Sequence, residues 1–112
     1  MKIVKLQELP QSVSSHGDFE KKVMIGDGEI PHIHTFTQAV LQPDQSAILH
    51  EHQNLYEVFF VKEGKAKVVI NKEKEYSIEK DSCFIIEPHE IHEVSNPFDK
   101  PLVLLFFRSK IV

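Results

Sequence analysis

The sequence predicts a small all-β domain, a sandwich or barrel of short strands. Three observations carry this. Apolar residues recur with a period of two along most of the chain, turn-forming residues interrupt them at short intervals, and no segment carries a stripe at helical spacing. At 112 residues the chain has room for one core and not for two.

The elements follow in order. Residues 1–18 read as an N-terminal arm with at most one strand, over residues 3–6; residues 19–112 read as the β domain. Within it, HTFTQAVLQ (34–42), SAILHEH (46–52), LYEVFFV (55–61), KAKVVIN (65–71), EYSIE (75–79), SCFIIE (82–87), HEVSN (92–96) and LVLLFF (102–107) alternate or run apolar as strands do. The breakers GDGEIP, QPDQS, KEG, NKEKE, EKD and NPFDKP separate them. LYEVFFV and LVLLFF are apolar on both faces, whereas a strand with one wet face alternates. Each therefore needs cover on both sides. A homodimer supplies it most economically in so short a chain; a two-layer sandwich that covers both faces itself is the alternative.

Composition excludes several classes. The chain is 41% hydrophobic and 27% charged, with a formal net charge of -4. Lysines and acids are interspersed, so no basic stripe points to nucleic acid. No apolar run approaches the roughly 20 residues of a membrane helix, and MKIVKLQELPQS lacks the apolar stretch of a signal peptide. One cysteine, Cys83, excludes an internal disulfide and suits the reducing cytoplasm. It is expected to be a small buried hydrophobe.

Seven histidines are many for this length. His50 and His52, one residue apart on a strand, point to the same face. Glu57 begins the next strand, where an antiparallel neighbour comes within about 5 Å. A carboxylate on an apolar layer is costly unless paired, and a divalent cation would pair it. His92, on a later strand after Pro88, is a candidate fourth ligand. Three imidazoles and one carboxylate suit Mn, Fe, Co, Ni, Cu or Zn. The alternative is a set of ordinary surface or hydrogen-bonded histidines. His34, on the strand before, is a candidate proton carrier. If it points inward then Phe36 and Gln38 join it on the wall of a substrate pocket, with Leu55, Phe59 and Val61 from the next strand. His32 and His34 otherwise form a solvent-facing or hydrogen-bonded pair. His89 is expected at the mouth of the domain and His16 in an exposed loop.

The stretch from Asp44 to Gly64 resembles the first cupin motif, Gly-x5-His-x-His-x4-Glu-x6-Gly, with Asp44 in place of the first glycine and His50, His52, Glu57 and Gly64 matching. The second motif, Gly-x5-Pro-x-Gly-x2-His-x3-Asn, is matched by His92 and Asn96, while Asp81, Glu87 and His89 replace Gly, Pro and Gly. Asp tolerates the turn conformations that glycine provides. The resemblance implies a double-stranded β-helix, the jelly-roll cupin barrel, with one divalent metal ion per chain inside and a homodimeric assembly. Four ligands on an ion that prefers six leave two positions for a small chelating ligand such as a 2-oxo acid, enediol, diketone or keto sugar. The ion would stabilise an enolate as a Lewis acid. Two reactions follow, a dioxygenase, placed slightly ahead, and an isomerase or epimerase. A metal- or sugar-binding module without turnover is the competing class, because this architecture hosts both.

Overall fold

The computed structural model describes residues 1–14, 17–47, 51 and 53–111. These residues form two antiparallel sheets. The larger runs in the order β1 (Ser12–Val13), β2 (Glu20–Ile25), β3 (Ile33–Leu41), β9 (Leu102–Lys110), β4 (Leu55–Glu63), β7 (Cys83–Ile86). The smaller runs β6 (Lys74–Ile78), β5 (Ala66–Ile70), β8 (His92–Ser95). Among the described residues no helix is long and apolar enough to cross a membrane.

The expected strands from residue 34 onward appear, apart from 46–52, which falls largely on residues outside the described set. No strand forms over residues 3–6. A 3-10 turn occupies Leu6–Glu8, and the arm joins the sheet only at β1. The strand β2, EKKVMI, was not anticipated: its acid and two lysines mask the alternation. Its register sets Lys21 opposite Ala39 and Val23 opposite Thr37; Lys21 is half-buried and Val23 exposed.

The core lies between the sheets. Val61, Leu102, Leu104, Ala39 and Leu41 of the large sheet face Ala66, Val68 and Val94 of the small one, all buried. The period-two rule fixes the opposite face: Tyr56, Phe60 and Ile85 are exposed, and Val58, Leu105 and Phe107 are half-buried beside them. Cys83 is also exposed. The expectation of a buried thiol fails because β7 turns Ile86 inward and pairs Cys83 with outward-facing Phe60.

The turns keep the geometry that glycine would give. Asp44, Asp81 and His89, which stand where the two motifs carry glycine, have φ of 70°, 66° and 69°. His89 follows Pro88 in a turn closed by Glu90 N donating to Glu87 O at 3.2 Å, the arrangement in which a type II turn asks for glycine. Gly64 has φ 81°, and a Cβ there would collide with Pro101 O. Asn96 is a structural residue: its buried amide donates to Leu41 O at 2.9 Å and Lys100 O at 2.8 Å, and its Oδ1 accepts from Phe98 N.

Candidate functional site

A cavity of about 140 Å³ lies between the sheets. For scale, an apolar cavity of about 150 Å³ takes one benzene. Sheet register sets its rows. Glu57 stands opposite Arg108, Phe59 opposite Phe106, and Val61 opposite Leu104. The first row is polar and the next two are apolar. Phe59 and Phe106 stack with ring centroids 5.2 Å apart.

The polar end is built from both sheets. Glu57 of β4 and His92 of β8 are each 1% exposed. Glu57 Oε1 lies 2.9 Å from His92 Nε2, and Arg108 Nε donates to Glu57 Oε2 at 3.0 Å. His92 Nδ1 lies 2.9 Å from Glu90 O. Both imidazole nitrogens thus meet oxygen acceptors, which suits the doubly protonated ring. Burial pushes the His92 pKa down, but the hydrogen bonds to Glu57 and to the Glu90 carbonyl outweigh it and raise the pKa overall. Removing one member of such a buried set leaves charge uncompensated and costs several kcal/mol.

The chemistry of this pair fits a divalent cation: one anionic oxygen and one imidazole nitrogen, side by side and buried. The Glu90 carbonyl can hold the Nδ1 proton, which leaves Nε2 for a metal. His50, His52 and His16 lie outside the described residues. Among the described residues no three His, Cys, Asp or Glu side chains gather closely enough to hold an ion.

His34 lines the cavity, and its Nδ1 is buried without a hydrogen-bond partner. Phe36 and Gln38 do not accompany it. The cavity wall on β3 is Thr35, Thr37, Ala39 and Leu41; Phe36 instead meets outward-facing Phe107 edge-on at 6.5 Å, and Gln38 accepts from Lys62 Nζ at 3.2 Å. The register shift between Ile33 and Phe36 interrupts the alternation, so His34 and Thr37 reach the same space. Phe59 lines the cavity, Val61 packs in the core beneath it, and Leu55 is half-buried at the start of β4. His32 takes φ 69° before β3, and its carbonyl accepts from Lys110 N. His89 sits in its turn, away from the cavity wall.

Sequence reasoning missed two charged wall residues, Arg108 and Lys21. Arg108, the chain's one arginine, follows directly on LVLLFF. Extending the alternation of LVLLFF by one residue puts it on the face of Leu104 and Phe106. Lys21 was missed together with its strand.

No curated protein matches the chain. Solved structures match its fold. One described as a predicted oxalate decarboxylase from Thermotoga maritima superposes with a TM-score of 0.90 at 19% identity, covering 98% of this chain and 100% of that one. A polyketide cyclase from Streptomyces resistomycificus gives 0.83 at 16% identity, covering 97% and 79%. A sugar phosphate isomerase described as of the cupin superfamily, from Silicibacter pomeroyi, gives 0.80 at 16% identity, covering 97% and 76%. The family model described as the cupin domain matches residues 37–108, a span that holds β4 to β8, the Glu57–His92 pair and the three turns at Asp44, Asp81 and His89, and the chain therefore belongs to the cupin family.

Proposed function

We propose that the chain is a metal-dependent cupin enzyme that moves a proton on a small oxygen-rich substrate, an isomerase or epimerase in class. His50, His52, Glu57 and His92 would hold one divalent ion of the Mn to Zn series, with residues 19–112 as the barrel around it and 1–18 as an outer arm. A homodimer in the cytoplasm is the proposed working form. When bound, the ion supplies a Lewis acid that polarises a substrate carbonyl.

The observation that carries this reading is His34, which lines the same cavity as Glu57 and His92 and has a buried Nδ1 with no partner. A buried ring nitrogen without a partner costs about 1–3 kcal/mol, and a substrate group that meets it recovers that cost. His34 takes the proton from the carbon beside the carbonyl, and the electron pair delocalises onto the carbonyl oxygen. Transfer of the adjacent hydroxyl's proton to that oxygen, with return of the carbon-bound proton at the former carbonyl carbon, completes an isomerisation; return to the same carbon from the other face completes an epimerisation. Arg108 orients Glu57 through its Nε, and Phe59 and Phe106 pack against the substrate's apolar part. Proton transfer needs a carrier on the wall and oxygen insertion does not, which puts the isomerase ahead of the dioxygenase. Neighbours described as a decarboxylase, a cyclase and an isomerase support small-molecule chemistry over a binding module.

Deuterium exchange tests it. Metal-loaded protein incubated in D₂O with a panel of 2-oxo acids, diketones and keto sugars is expected to exchange the proton beside the carbonyl of at least one of them. His34→Gln is expected to lose that exchange at least tenfold while keeping its metal. Absence of exchange across the panel, or full exchange by His34→Gln, overturns the assignment.

A further inference from the structure

The unanticipated strand β2 brings a cation to the cavity wall. Lys21 is half-buried there. Among the described residues Lys2, Lys65, Lys67, Lys80 and Lys110 each have a carboxylate partner, whereas Lys21 has none. Those five sit at the surface, where pairing contributes little. Lys21 instead shares the cavity wall with Phe19, Leu41 and Leu104, and a cation on an otherwise apolar stretch of wall suits an anionic ligand.

Register places this cation at the far end from the polar row. Lys21 pairs with Ala39, Ala39 with Leu104, and Leu104 lies four residues along β9 from Arg108. At about 3.3 Å per residue the two rows are roughly 13 Å apart along the strand. The stacked Phe59–Phe106 pair fills the row between. A ligand in this cavity thus meets an imidazole–carboxylate end, an aromatic middle and a lysine.

We propose that Lys21 selects the substrate: the cavity takes a small organic acid whose apolar body lies against Phe59 and Phe106 and whose carboxylate pairs with the Lys21 ammonium. The cavity's size excludes much beyond a single ring, and one lysine suits a monoanionic carboxylate better than a phosphate dianion. Lys21 is a binding and specificity residue and takes no part in the proton transfer. The proposal rests on reading the cavity as the substrate site, but its test does not need the metal.

Benzoate and its neutral isostere benzamide are titrated into protein stripped of metal by chelator, with binding followed by NMR shifts of the wall residues. Benzoate is expected to bind in the millimolar range or tighter and benzamide about tenfold more weakly, the scale of one charge-assisted hydrogen bond. Lys21→Met, which keeps the apolar stem, should remove the difference, and Lys21→Arg should restore it. Equal binding of the two probes, no saturable binding of benzoate, or discrimination that survives in Lys21→Met overturns the proposal. Failure of the proton-transfer reading would instead appear in the deuterium exchange and leave the benzoate result standing.

Discussion

Glu57 shows what one residue's surroundings decide. Its two oxygens face an imidazole and a guanidinium inside the core, and the raised His92 pKa makes the pair depend on pH. A histidine whose folded pKa lies above its ordinary value of 6.5 adds stability fully present below that value and lost as pH rises through the folded value. Metal-free protein should therefore lose part of its stability as pH rises from 6.5 through the raised folded value. Glu57→Gln removes the carboxylate that holds the proton, so it should be less stable in acid by about 3–5 kcal/mol and show a flatter profile there. Thermal melts of the two metal-free proteins across that range check the sign; identical profiles would dissociate His92 from Glu57. At this scale the sequence was informative where a motif spaced the residues, as with Glu57 and His92. It was silent where a side chain's role came from its partner across the sheet, as with Arg108.

Elements explain the rest of what was and was not legible. Strands of apolar alternation, β3 to β9, announce themselves because one face is buried. The strand β2 does not, since Lys21 lines the cavity and Lys22 reaches the carbonyl of Leu6, so polar residues stand on both faces. The wall on β3 was misassigned because a strict alternation from His34 carries Phe36 and Gln38 inward, and a register shift breaks that alternation. Turns are the converse case: Asp44, Asp81 and His89 replace motif glycines yet keep positive φ, so backbone geometry persists where residue identity does not. An L-residue in that region costs roughly 1–2 kcal/mol, partly offset by glycine's greater freedom in the unfolded chain. His89→Gly should consequently stabilise the protein by about 0.5–1 kcal/mol, read from denaturant midpoints at unchanged slope. Destabilisation would mean that the His89 side chain makes a contact worth more than the strain.

For the whole molecule, the outer face of the large sheet is the open question. Tyr56, Phe60 and Ile85 are exposed side by side on β4 and β7, and half-buried Leu105 and Phe107 continue the surface across β9. An apolar face of this kind is the expected surface for the proposed homodimer, which would cover the side of the barrel away from the cavity. Light scattering should report a dimer at micromolar concentration, and Phe60→Lys, pointing a charge out of that face, should yield a folded monomer. A monomeric wild type would remove this account of the doubly apolar strands.

The central claim is that the buried Glu57–His92 pair belongs to a metal centre. Protein stripped by chelator, titrated with Mn, Fe, Co, Ni, Cu and Zn ions and assayed by elemental analysis after gel filtration, tests it most directly. The account predicts retention of one ion per chain by wild type, with uptake strengthening as pH rises because a ligating His92 must give up its proton. Loss of that ion is expected in both Glu57→Gln and His92→Gln, with cooperative melting kept. Wild-type protein that retains no divalent ion at any pH, or variants that retain it as well as wild type does, would contradict the claim.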